Sequence, residues 1–322
     1  MGLFVKFREA SSVSGQLISL LIVIVLFTIG TGGRYLSLEN FVTILSLAGI
    51  PMIISLGVHQ IIIMGGMDLS LEGIIALCAV ISGLLIKNQV TSIDIGMGIF
   101  PVVIIVGLVC GVFSGMINTK LKMPSFIATL GISWITFGLA VIFSGGISIP
   151  LEDLRFQNIM NGKFFGIPNI TLIALAIFAV LYVFQKKTSI GKHMYAIGGD
   201  EILAKQAGVN VDRVKIIVFA MGGAIYGIAA LFLVARLNSS AARLGNNLLF
   251  PAMTAVAVGG VSLSGGVGTA LNAILGTLIV TALNNGMVLM HVSPYLQTAV
   301  NGIVLITAVA LTIDRKKIGL IK

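Results

Sequence analysis

Acidic side chains set into an otherwise apolar chain mark where this sequence can do chemistry. In Gly65-Gly66-Met67-Asp68-Leu69-Ser70-Leu71-Glu72-Gly73, two carboxylates and a glycine pair separate long apolar runs. A carboxylate among apolar groups is costly unless it faces a cavity, a partner or water. The glycine pair frees the backbone, and Asp68 or Ser70 is placed to cap a helix that resumes at 71. Two readings stand: a plain turn between helices, or a discontinuous helix beside a polar pathway. Gly259-Gly260-Val261-Ser262-Leu263-Ser264 repeats the pattern Gly-Gly-x-x-Leu-Ser, which suggests a partial internal repeat.

Covalent chemistry finds little support. His59, His193 and His291 stand at no metal-binding spacing from one another or from a carboxylate. There is no G-x-S-x-G and no H-E-x-x-H. Gly191-Lys192-His193 lacks both the preceding glycine and the following hydroxyl that a phosphate loop needs. No catalytic, metal-binding or cofactor-binding residue is therefore expected, and any ATP that drives this chain must bind another subunit. Cys78 and Cys110 have no pairing or ligand spacing and read as small packing residues.

A second polar run, from Thr188 to Arg213, carries helix punctuation instead. Asp200 sits at an N-cap, Glu201 complements the first turn, Lys205 lies in the last turns, and Gly208 can close the helix in the left-handed conformation. Asn210 or Asp212 then caps the next helix. Two turns are unstable alone in water, so this segment must dock, either on its own chain or on a partner that takes up Ile202, Leu203 and Ala207.

These segments belong to an apolar scaffold. Of 322 residues, 57% are hydrophobic and 10% charged, with a mean hydropathy of +1.10. A water-soluble domain carries roughly 25% charged residues, so a soluble enzyme, a disordered chain and a secreted disulfide scaffold are excluded. A transmembrane barrel would alternate polar and apolar residues, whereas these runs are apolar on every face. The expected fold is all-α: a polytopic transmembrane helical bundle of about ten spans, near 16–32, 42–64, 73–88, 95–117, 126–145, 167–184, 214–236, 250–262, 269–290 and 294–313. The short eighth span implies broken or re-entrant helices near 60–72 and 250–265. Residues 1–322 form a single transmembrane domain, since neither 146–166 nor 186–213 has room for a globular unit.

The net charge of +9 follows topology, and no nucleic-acid partner is expected. With the N-terminus in the cytoplasm, Lys6, Arg8, Lys120, Lys122, Lys186, Lys187, Lys192, Lys205, Arg213, Lys215, Arg315, Lys316, Lys317 and Lys322 are internal. Arg34, Lys87, Arg155, Lys163, Arg236 and Arg243 are external. This asymmetry obeys the positive-inside rule and puts both termini in the cytoplasm. Leu3, Phe4 and Phe7 beside Lys6 and Arg8 form either an interfacial helix or a charged flank to the first span.

The segment from Gly65 to Gly73 resembles the Gly-Gly-Ile-Asp-Leu-Ser-Val-Gly signature of the membrane permeases of ribose-type bacterial ABC sugar importers. Tyr195 to Glu201, running on through Gly208 to Lys215, is similar to their ATPase-coupling loop. Asn118 to Gly131, Val258 to Gly266 and Leu283-Asn284-Asn285-Gly286 resemble further blocks in the family's order. Leu71-Glu72-Gly73, Leu249-Phe250-Pro251 and Val267 depart from the pattern and leave the substrate open. The resemblance implies a cytoplasmic coupling loop at 186–213, with Gly191, Tyr195, Ala196, Gly198, Gly199, Asp200, Glu201, Ala204 and Gly208 facing or shaping the joint. It also implies a cytoplasmic ABC ATPase dimer that holds ATP and Mg, and a second permease copy or a homologous sister. A periplasmic or lipoprotein solute-binding protein would deliver cargo across a bacterial inner membrane. Asp68, Ser70, Asn118, Asn284 and Asn285 are the candidate pathway contacts. Trp134 could stack on a sugar or anchor at the interface, and Arg236 and Arg243 could meet the binding protein. An ion-coupled secondary transporter is the main alternative; an intramembrane enzyme is a third.

Overall fold

The computed structural model describes residues 2–312. In chain order its helices are α1 (Gly2–Gly30), α2 (Leu38–Ile63), α3 (Leu71–Leu85), α4 (Ile99–Lys120), α5 (Ser125–Ser144), α6 (Leu154–Asn161) and α7 (Asn169–Lys187). They continue as α8 (Ser189–Gly199), α9 (Glu201–Gln206), α10 (Val211–Leu237), α11 (Leu249–Val258), α12 (Ala270–Leu289) and α13 (Pro294–Thr312). Among the described residues, α1, α2, α4, α5, α7, α10 and α12 are long and apolar enough to cross a membrane. The shorter α3, α11 and α13 occupy the remaining expected spans. The protein is an all-α polytopic membrane protein.

Local chemistry sets the boundaries. Ser37, Asp153, Thr188, Asp200 and Asn210 each accept a backbone N–H at the start of α2, α6, α8, α9 and α10. Pro124 and Pro168, in extended conformation, precede α5 and α7. Pro51 sits inside α2 without ending it, since neighbouring helices can re-satisfy the backbone it frees. Helices α2 and α10 form the buried centre, and α4 lies so close to α10 that a side chain at Gly107 would overlap the Gly223 carbonyl. The rims of α1, α5 and α13 expose large apolar side chains to lipid, Trp134 among them at 73% exposure near the middle of α5.

At one end of the bundle lie α8, α9 and the segments after α2, α4 and α11. At the other, Ile149–Pro150 pairs antiparallel with Ser239–Ser240, and Lys163–Phe164 with Ile167–Pro168. Lys120, Lys122, Lys186, Lys187, Lys192, Lys205, Arg213 and Lys215 gather at the α8–α9 end. The expected terminal cluster Arg315, Lys316, Lys317 and Lys322 lies outside the described residues.

Two segments of the membrane layer are not helical. After α2, the chain from Met64 to Ser70 unwinds and climbs along α5. Its backbone N–H groups at Met67 and Leu69 donate to the hydroxyls of Ser125 (3.0 Å) and Thr129 (2.9 Å). Those side chains replace the water that lipid cannot supply. After α10, residues 238–248 turn back alongside α3. The Ser240 hydroxyl donates to the Ala79 carbonyl at 2.8 Å, and Gly245 abuts the Glu72 carbonyl. Seven helical residues separate Ala79 from Glu72, so the re-entrant chain descends about 10 Å before α11 begins. The expected break near 250–265 is present: α11 is a short helix that ends at Val258, irregular chain runs from Gly259 to Thr269, and a second irregular segment precedes α11.

The Gly-Gly echo has a structural counterpart, shifted by one residue. Gly65 N–H bonds to Ile62 and Gly66 N–H to Ile61; Gly260 N–H bonds to Ala257 and Val261 N–H to Val256. Each set is a Schellman C-cap, with φ of 82° at Gly65 and 79° at Gly260. Gly65 therefore corresponds to Gly260, whereas the sequence pattern pairs it with Gly259.

Candidate coupling surface and transmembrane groove

Helix α8 is the mount of the polar end. Thr188 caps it, with Gly191 N–H donating to the hydroxyl at 3.0 Å. Its far end is wedged between the two Schellman loops, where Gly198 packs directly on the Ile63 carbonyl and on Gly266 N. Gly266 N–H in turn donates to the Ile63 carbonyl at 2.8 Å. The Tyr195 hydroxyl donates to the Gly268 carbonyl at 2.8 Å. A displacement of α8 must therefore move the ends of α2 and α11 and the start of α12.

Helix α9 projects from that mount. Asp200 accepts Leu203 N–H at 3.0 Å, and Gly208, with φ of 85°, closes the turn. Ala204 is buried and anchors the helix, while Ile202 (70%) and Leu203 (61%) stand exposed. Glu201 pairs with Lys215 of α10 at 2.8 Å. The nine residues assigned to coupling thus divide. Gly191, Tyr195, Gly198 and Ala204 are packed inward, whereas Ala196, Gly199, Asp200, Glu201 and Gly208 are exposed.

One polar hub lies just behind this joint. The Gln185 side-chain amide, at the end of α7, contacts His59 Nε2 at 3.0 Å and donates to Gln60 Oε1 at 3.1 Å; its Oε1 accepts Ala270 N–H at 3.3 Å. It ties α7 to α2 and to the start of α12, immediately before α8. Sequence reasoning missed it, although His59, Gln60 and Gln185 stand out as polar groups within apolar helices.

The five pathway candidates do not converge. Asp68 Oδ1 accepts the N–H (2.8 Å) and the hydroxyl of Ser70, so both shape the unwound segment from inside, with Tyr226 of α10 in electrostatic reach. Asn118 donates to the Met123 carbonyl at 2.7 Å beside a cavity of about 650 Å³ at the α8–α9 end. Asn285 donates to Asn40 at 2.7 Å, which donates to the Tyr35 carbonyl at 2.8 Å; this chain straps α12 to the start of α2. Asn284 accepts from Asn301 of α13 at 3.0 Å.

Glu72 does something its sequence neighbourhood did not show. Its carboxylate accepts both Leu248 and Leu249 N–H at 3.1 Å, capping α11 from the first turn of α3. Two helix N-termini thus meet inside the membrane layer, and the anion satisfies donors that α11 leaves open. Arg243 stands exposed on the re-entrant segment that packs beside α3.

A discontinuous helix pair inside the membrane and a rigidly mounted cap-and-turn at one end make the outline of a solute permease. Residues 40–309 match the family model described as branched-chain amino acid transport system / permease component. The chain belongs to that permease family. The permease is 35% identical over 310 residues to the ribose import permease protein RbsC of Bacillus subtilis, covering 94% of this chain and 92% of the relative. It is 33% identical over 280 residues to RbsC of Haemophilus influenzae, covering 85% of each. It is 32% identical over 312 residues to the galactose/methyl galactoside import permease protein MglC of Escherichia coli, covering 92% and 93%. No solved structure matches the permease.

Proposed function

We propose that this permease is one of two membrane subunits of an ATP-driven importer of a neutral sugar or sugar-like solute in a bacterial cytoplasmic membrane. Both termini and the α8–α9 end face the cytoplasm, in keeping with the lysines gathered there. A separate ATPase dimer holds ATP and Mg and grips α9; a binding protein presents the solute from outside. The observation that carries this reading is the exposed Ile202–Leu203 pair on a short helix rigidly joined to both broken segments. An exposed apolar knob on a polar surface marks a partner site, and its mount makes it a lever. The relatives' names support sugars over the amino acids of the family description, because they match along nearly the whole chain. An ion-coupled transporter would need free intramembrane acids, whereas Asp68 is bonded within its own turn and Glu72 caps α11.

Replacing Ile202 and Leu203 by Asp tests the reading. The variant should insert normally, yet fail to co-purify with its ATPase and fail to take up labelled D-ribose or D-galactose in proteoliposomes supplied with ATP. Normal uptake and a retained ATPase would refute it.

A further inference from the structure

Helix α8 is gripped at both ends, and the grip at its start runs through one side chain. Gly191, in the first turn of α8, packs so closely on α7 that a Cβ there would lie 2.5 Å from the Phe184 carbonyl oxygen and 2.6 Å from Gln185 Cα. The Gln185 amide then reaches two other helices, and its orientation follows from its partners. Ala270 N–H needs an acceptor, so the amide oxygen faces it at 3.3 Å. The nitrogen, which can only donate, turns to Gln60 Oε1 (3.1 Å) and His59 Nε2 (3.0 Å). His59 Nε2 therefore accepts, so the ring is neutral and carries its proton on Nδ1. His59 and Gln60 are fully buried, and their other polar atoms, Nδ1 and Nε2, have no hydrogen-bond partner. Gln185 alone thus fixes how these two side chains of α2 are turned. Ala270 is the first residue of α12, where a backbone donor has no acceptor within its own helix.

We propose that Gln185 is a positioning residue for energy coupling: it passes a displacement of the start of α8 to α2 and α12 together. The proposal rests on the permease reading and adds a residue to its machinery. Gln185 holds α2 at His59 and Gln60, about one turn before the Ile63 carbonyl on which the far end of α8 is wedged at Gly198. It holds α12 at Ala270, two residues after the Gly268 carbonyl that Tyr195 bonds. Each membrane helix is thus tied to α8 at two points, one of them through Gln185, and two points transmit rotation as well as translation. In a buried, apolar layer no water replaces these bonds if α8 pulls away, so α2 and α12 follow it.

The test compares two cuts in the same helix pair, in the permease assembled with its ATPase and binding protein. Gln185→Met removes the hub. Thr171→Val removes the bond from the Thr171 hydroxyl to the Leu45 carbonyl (2.8 Å), which joins α7 to α2 about 20 Å away. In proteoliposomes, Gln185→Met should lower the D-ribose or D-galactose moved per ATP hydrolysed by about fivefold or more with the ATPase still bound. Thr171→Val should leave that ratio unchanged even where it melts as low. Should Gln185→Met fail to assemble, Gln60→Met, which cuts one bond into α2, should still lower the ratio about two- to tenfold. Hydrogen exchange of the Ala270 amide reads the link without transport. Gly191→Ala, which pushes on Gln185, should speed that exchange in the parent and add nothing in Gln185→Met. A parental ratio in the hub variants, an equal loss in Thr171→Val, or additive effects on the Ala270 amide would overturn the link. A non-additive exchange response in a complex without ATP-dependent uptake would support the link and refute the importer.

Discussion

Gly198→Ala isolates the joint by which α8 is held to the membrane helices. A methyl group at this position overlaps the Ile63 carbonyl oxygen. It also falls 2.5 Å from Gly266 N and 3.0 Å from the Ile63 carbonyl carbon. Favourable contact needs about 3.5 Å, so the intrusion is about 1 Å against Gly266 N and larger against the Ile63 carbonyl oxygen. No rotamer change relieves it. Overpacking of this kind costs about 1–3 kcal/mol, and parting the two loops loses the Gly266–Ile63 hydrogen bond, about 1 kcal/mol more. Gly199→Ala is the matched control, because nothing lies within 4 Å of a methyl there. In detergent, Gly198→Ala should melt several degrees below both the parent and Gly199→Ala. In proteoliposomes it should move less sugar per ATP hydrolysed. Equal melting and equal coupling in the two alanine variants would refute the wedge between Ile63 and Gly266.

Glu72→Leu should lower stability by about 1–2 kcal/mol by orphaning the Leu248 and Leu249 donors, and Glu72→Gln by less, since it keeps an acceptor but loses the charge; thermal melts of the three proteins decide the order. Glu201→Lys should change stability by no more than about 1 kcal/mol, because its pair with Lys215 is solvent-screened, yet it should reduce ATPase co-purification. Adding Lys215→Glu should not restore the association; full recovery would show that Glu201 acts only within this chain. On the opposite end, the Arg155 guanidinium bonds to Asp153 and holds its carboxyl below the usual value of 3.8. Its folded pKa being depressed, the pair contributes stability that is complete above about pH 4 and lost as pH falls through the lowered value. Hydrogen exchange across α6 should therefore rise on acidification in the parent, and Asp153→Asn should flatten that dependence.

Much of this architecture is written locally. The spans follow from apolar runs, and α9 from Asp200 and Gly208, because caps and left-handed turns depend on a few adjacent residues. The same rules did not reveal α8: Ser189 to Gly199 contains three glycines and reads as a loop. Its helix is held by packing on α7 and on the two Schellman loops. The pairing of Gly65 with Gly260 was hidden by a one-residue offset, since hydrogen bonding and not residue identity defines the equivalence.

Composition and order of residues thus settled a lipid environment, the helical class, the approximate spans and the polar joint, all properties that neighbouring residues determine among themselves. Folding alone decided that Glu72 caps a helix beginning 177 residues later, that Gln185 binds α2 and α12 together, and that Asn301 of α13 bonds to Asn284 of α12. In a membrane every face of a span can be apolar, so hydropathy carries little information about which face meets which. That information resides in close approaches between distant backbones and in the polar groups they bring together or leave unsatisfied.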